Sequence, residues 1–176
     1  AGVEWVKSID TDAWLKKLWQ SFYSAKEGLF LSELRDDPKE HRFSLESNLW
    51  AIEGDFFKSF ISRDQLWANL KKTPLWTLMP GLPVWPQYPW RDISWTTKFV
   101  GIRHYHDNFG WSWLMGESLK IACLMQDKAE ALRLFAEIER LAKKYDTVHE
   151  IYEVRTGEPG AGLIPVRRHL YSSEYD

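Results

Sequence analysis

The chain has 176 residues and a formal net charge of −2, enough for one domain with a real core, and too balanced to offer a basic field to nucleic acid or an acidic tail. The lone Cys123 excludes an internal disulfide framework and favours a reducing, cytoplasmic setting, with its thiol expected to be buried and inert. No apolar run approaches the roughly 18 residues of a membrane span, and residues 5–10 are too polar for a signal peptide.

Asp12 is predicted to cap a first helix whose Trp14, Leu15, Leu18, Trp19 and Phe22 share one face, with Gly28 ending it. Residues 29–31 read as a short extended piece and 36–40 as a polar turn. A second helix is predicted over 47–60, striped by Leu49, Ile52, Phe56 and Phe60. Ser62 followed by Gln65 is a capping-box pattern for a third, carrying Leu66 and Leu70 and stopping before Pro74. From 73 to 101 helix is improbable, because Pro74, Pro80, Pro83, Pro86 and Pro89 crowd the segment. So long a loop, rich in aromatic surface, reads as functional rather than disordered. Residues 110–125 form a fourth helix, apolar nearly all round and therefore central. Asp127 with Glu130 caps a fifth through Leu132, Phe135, Ile138 and Leu141, with Lys143 and Lys144 at its carboxyl end, as the helix dipole favours. Residues 146–176 read as loop. The expectation is a single all-α domain over 1–176, built of antiparallel helical hairpins with long Trp- and Pro-rich loops.

Tryptophan is the compositional outlier, with 11 residues, and Trp76, Trp85, Trp90, Trp95, Trp111 and Trp113 fall within one stretch. Such a cluster lines either a core or a binding surface. Downstream, Glu150 and Glu153 flank Tyr152 just past the fifth helix. A carboxylate held beside aromatic platforms suits a sugar-cleaving site, since sugar rings stack on indoles while carboxyls work on water and the glycosidic oxygen. A pair of solvated surface glutamates is the plainer reading. Between the two regions runs His104-Tyr105-His106-Asp107-Asn108. Its spacing is weak for a metal, and no cofactor motif appears anywhere. Planar polar groups for vicinal hydroxyls fit it better; helix capping by Asp107 or Asn108, with Trp111 and Trp113 in the core, is the alternative.

The segment Glu150-Ile151-Tyr152-Glu153 with Thr156-Gly157-Glu158-Pro159 resembles the Glu-x-Tyr-(Asp/Glu)…Thr-Gly-Glu segment of the (α/α)6-toroid glycosidases, among them trehalases, processing α-glucosidases and amylo-α-1,6-glucosidase-like enzymes. Residues 101–111 resemble that family's Gly-x-x-Tyr-His-Asn-Gly-x-x-Trp loop, with Asp107 and Asn108 where the pattern has Asn-Gly. Ser47-Asn48-Leu49 resembles the start of an inner helix, Glu46 replacing the usual Asp, and 171–175 resembles the lead into the last helix. The resemblance covers only the carboxyl-terminal part of such a toroid, about five of its twelve helices, so the chain is expected to be a fragment or split subunit or to assemble with another chain; a start at Ala1 fits a processed terminus as well as a fragment.

The resemblance implies a glycosidase that inverts an α-glucosidic bond of an oligosaccharide, with Glu150 as general base. Nothing matches the family's general acid, which lies upstream, so the acid is either absent or supplied by another chain, with Asp107 the best substitute within this one, provided the two carboxyls stand roughly 6.5–9.5 Å apart. Trp95, Trp111 and Trp113 would stack on sugars; His104, His106, Asn108 and Tyr152 would complete the binding site, with no metal or cofactor. Another chain, or a second copy, is expected to cover the exposed inner helices. A noncatalytic sugar-binding module and a helical assembly module are the alternatives from other classes.

Overall fold

The computed structural model describes residues 10–78, 80–99, 105, 107, 109–154 and 157–159. Helix α1 (Thr11–Phe22) is capped two residues earlier than expected: Asp10 accepts the Ala13 N–H at 2.9 Å, and Asp12 adds its charge to the first turn. It ends well before Gly28, because β1 (Tyr23–Ser24) turns back through Gly28, at φ 69°, to pair with β2 (Leu29–Phe30). Strand β3 (Phe43–Ser44) leads directly into α2 (Leu45–Gly54), capped by the Ser44 hydroxyl. Helix α2 stops short of residue 60, since Asp55 adopts the left-handed conformation at its carboxyl end. Ser62 caps α3 (Arg63–Leu70) through the Gln65 N–H, as its sequence pattern predicts.

The proline-rich stretch is not devoid of helix. It holds α4 (Pro74–Thr77), a 3₁₀ turn at Trp90–Asp92 and α5 (Trp95–Phe99), with β4 (Val84–Trp85) between them. Pro74 opens α4 at its first position, where no N–H is needed, Pro89 stands just before the 3₁₀ turn, and α5 contains no proline. Beyond it come β5 (Phe109–Trp111), α6 (Ser112–Leu124), α7 (Lys128–Tyr145) and β6 (Ile151–Glu153).

The expected all-α class is therefore corrected to mixed α/β. Among the described residues three two-stranded antiparallel sheets form, β1–β2, β3–β4 and β5–β6, and the purely helical hairpins expected of a toroid segment give way to them. Strands of two or three residues are too short to show a period-2 pattern, so sequence periodicity could not reveal them. Two of the sheets pair residues distant in the chain: Phe43 faces Trp85, and Trp111 faces Ile151.

Helices α2 and α6 are central, packing on each other, with α3 beside α2 and α7 beside α6. Leu49 and Ile52 of α2, Leu70, Leu75, Leu114, Ile121 and Leu134 form the fully buried core. Asn48 is buried with them, where its amide replaces a missing strand partner: Oδ1 accepts the Phe30 N–H at 2.9 Å and Nδ2 donates to the Phe30 carbonyl at 3.0 Å. Cys123, expected to be buried, is exposed on α6.

Two buried tryptophans are held by the first turn of α7. The Trp67 indole donates to Asp127 at 3.1 Å and the Trp76 indole to Glu130 at 2.8 Å. The Lys71 ammonium, 2.6 Å from Asp127, lowers that carboxyl below its usual range; burial opposes this, and the Trp67 and Glu130 N–H groups reinforce it. A depressed carboxyl contributes stability above its unfolded pKa and loses it as pH falls through the folded one. Urea unfolding should therefore find Asp127→Asn less stable by about 1–2 kcal/mol at pH 7, with the gap to the native chain closing as pH falls below 3.8. A gap constant with pH would show that the charge of Asp127 does not contribute.

Candidate functional site

The site is built on the β5–β6 pair. Gly110 faces Tyr152 and Trp111 faces Ile151, and the ladder continues as the Ser112 N–H donates to the Glu150 carbonyl at 3.0 Å. Glu150 thus stands at the head of β6, beside the amino end of α6. On the other side, the Trp111 N–H donates to the Gly81 carbonyl at 3.0 Å. Gly81 has φ 78°, and a Cβ there would come within 2.4 Å of the Trp111 carbonyl, so only glycine allows this approach of the proline-rich segment to β5.

Glu150 is half-buried, and the Tyr105 hydroxyl donates to its Oε1 at 3.2 Å. Tyr105 is itself fixed. Its carbonyl accepts the Trp111 indole N–H at 3.2 Å, and the two rings meet edge to face at 4.7 Å. A carboxylate, a phenol and an indole therefore form one unit across residues 105–150. Tyr105 belongs to the tyrosine–histidine run that marks the loop in the sequence, but its hydrogen bond to Glu150, 45 residues on, shows only in the structure.

Tyr152, expected to touch substrate, points inward instead. It is 1% exposed and packs with Met115 and Leu141, its hydroxyl accepting the His149 N–H at 2.9 Å. Burial pushes its phenol above the ordinary value, with the His149 hydrogen bond opposing. That hydrogen bond ties the buried ring to the backbone next to Glu150. Glu153 is tied into the following turn, where its N–H donates to the Glu158 carbonyl and its carbonyl accepts from Gly157.

Asp107 is 2% exposed, and its Oδ2 accepts the Tyr88 N–H at 2.5 Å. It does not cap α6, whose N-cap position is Trp111 and has no side-chain hydrogen bond. Asp107 is instead tied to the proline-rich segment through Tyr88 and lines two cavities. One, of about 540 Å³, includes Leu82, Trp85, Gln87 and Val154; the other, of about 420 Å³, includes Arg35, Tyr88 and Asp92. Arg42, missed in the sequence, is buried and holds the same segment through the Gln87 carbonyl at 3.1 Å.

The three tryptophans expected as platforms separate. Trp111 is half-buried against the core edge, Trp113 lies exposed on the first turn of α6, and Trp95 is 72% exposed on α5 with its ring edge-on to Phe99. His104, His106 and Asn108 lie outside the described residues, as does the 160–176 tail. Among the described residues no group of three or more His, Cys, Asp or Glu side chains could hold a metal ion, and no helix is long and apolar enough to cross a membrane. Comparison of the chain with protein-family models, with curated proteins and with solved structures returns no match.

Proposed function

We propose that this chain carries the water-activating part of a glycoside hydrolase that cleaves an α-glucosidic bond of an oligosaccharide with inversion. The observation that carries this reading is the Glu150–Tyr105–Trp111 unit. A carboxylate fixed by a phenol beside an indole can hold a water in line with an anomeric carbon and take its proton as the bond to the leaving oxygen breaks. The Tyr105 hydroxyl engages one carboxylate oxygen, and so fixes the carboxylate plane. The second carboxyl, which protonates the leaving oxygen, is Asp107 or belongs to another chain or a second copy of this one.

A noncatalytic sugar-binding reading is the second, favoured by the exposed Trp90, Trp95 and Phe99. One experiment decides between them. The full-length protein, given short α-linked gluco-oligosaccharides, is expected to release reducing sugar, with proton NMR showing the β-anomer before mutarotation. If the α-anomer appears first, Glu150 does not act on water directly. Sugar binding without release of product would leave the noncatalytic reading.

A further inference from the structure

We infer that the apolar groove between α1 and α2 is where a second copy of this chain docks, the two copies pairing about a twofold axis. The groove, of about 320 Å³, shares no lining residue with the Glu150 unit or with the cavities that Asp107 lines, and the inference stands apart from the glycoside reading.

Helix α1 carries Trp14, Leu15, Leu18, Trp19 and Phe22 on one side, and a helix with so wide an apolar side normally buries it. Yet none of its 12 residues is fully buried. Leu15, Trp19 and Phe22 rest against the core edge, while Trp14 and Leu18, one turn apart, stand on the open lip of the groove. The other lip carries Trp50 of α2 and Phe56 just beyond it. Trp14, Leu18, Trp50 and Phe56 are between 36% and 60% exposed. At about 150–250 Å² for a whole aromatic side chain, they leave roughly 400 Å² of apolar surface open. A stable complex covers about 800 Å² on each partner, a little over half of it apolar, so the patch has the size of one partner's apolar share.

The same patch supplies both halves of a contact. Trp14 and Leu18 form a ridge beside a trough. Lys17 borders that ridge, and Glu46 stands one turn before Trp50 on the other lip; neither side chain has an ion pair or hydrogen bond among the described residues. Of the other charges near the groove, Glu53 already pairs with Lys120 at 3.0 Å and Asp55 with Arg63 at 3.9 Å. Asp12 and Lys16 fall on the far side of α1 at 3.6 residues per turn. Lys58, beside Phe57, is a further open base. Under a twofold rotation residue i of one copy meets residue j of the other, and j meets i. The ridge of each copy thus enters the trough of the other, and Lys17 lies opposite the partner's Glu46. A small ligand fits the trough less well, because it cannot cover Trp14 and Trp50 on both lips. Nor does the lining call for polar recognition: Ser32 already donates to the Arg42 carbonyl at 3.2 Å, and Ser47 faces water.

Sedimentation equilibrium of the protein between about 1 and 100 μM is the test, and a monomer–dimer equilibrium with a dissociation constant in the micromolar range is expected. Trp50→Glu places a charge at the centre of the patch and is expected to weaken dimerisation about 100-fold, with an unchanged thermal melt at concentrations where the native chain is monomeric. Lys17→Glu alters only an exposed charge and keeps the test decisive if Trp50→Glu fails to fold. It is expected to weaken the dimer about tenfold, and Lys17→Glu/Glu46→Lys to recover most of that loss. A native chain that stays monomeric at the highest concentration would overturn the proposal. So would native-strength dimerisation by folded Trp50→Glu, or a double variant as weak as Lys17→Glu alone. A monomer that instead binds phosphatidylcholine–phosphatidylserine vesicles through Trp50 would give the patch to a membrane surface and overturn it equally.

Discussion

Glu150→Gln in the full-length protein is expected to lower hydrolytic turnover by several orders of magnitude and to leave oligosaccharide affinity within about twofold, since general-base catalysis alone contributes roughly 10²–10⁴. The amide keeps the size of the side chain and can still accept the Tyr105 hydroxyl 3.2 Å away, but it cannot take a proton from water. The loss should therefore fall on kcat rather than on KM. Tyr105→Phe gives the companion result. It removes the hydrogen bond but not the edge-to-face contact with Trp111, and so is expected to cost a smaller factor, on the order of tenfold. Near-native turnover in Glu150→Gln would end the assignment and pass the role to Glu153. Asp107→Asn separates the sources of the acid: a loss comparable to that of Glu150→Gln places the acid in this chain, and a small loss places it elsewhere.

The second large effect falls on stability. Trp76→Ala is expected to destabilise the fold by about 3–5 kcal/mol, the usual cost of deleting a large core aromatic. Trp76 is 3% exposed, meets Trp67 edge to face at 4.7 Å and donates its indole N–H to Glu130 at 2.8 Å. Truncation opens a cavity and takes one donor from Glu130, which keeps the Arg133 guanidinium at 2.8 Å. Trp95→Ala, by contrast, removes a side chain that stands in solvent and is expected to change stability by no more than about 0.5 kcal/mol. Chemical denaturation of the two variants side by side measures the contrast. Equal losses would mean that α5 is packed as core and that the exposed aromatic rim does not exist.

That contrast shows where tryptophan count alone runs out. Composition says that so many indoles must be either core or surface, and it cannot divide them. The division depends on which indole N–H finds an acceptor: Trp67 and Trp76 reach Asp127 and Glu130 from positions more than fifty residues away, a relation that no local pattern encodes. Tyr152 shows the same limit. Its place between two glutamates suggests a substrate contact, yet Ile151 and Tyr152 are both buried along β6, and Tyr152 packs in the small core with Met115 and Leu141.

What the sequence by itself determined is local. Ser62 and Asp127 cap helices α3 and α7, because a short side-chain acceptor ahead of a helix satisfies N–H groups that have no partner within it. The apolar stripe of 110–125 marks α6 as a central helix, since a helix with little polar surface must be covered. Glu150 stands out as a candidate because it lies in a carboxylate–aromatic run just past a helix end. Only the tertiary structure decided the class of the fold, the strands being too short to carry a period and joining segments as distant as Phe43 and Trp85. It alone also brought Tyr105 to Glu150, Gly81 to Trp111 and Asp107 to Tyr88. These contacts cross long stretches of chain, and their energy is realised only when the core has closed and both partners are held in place.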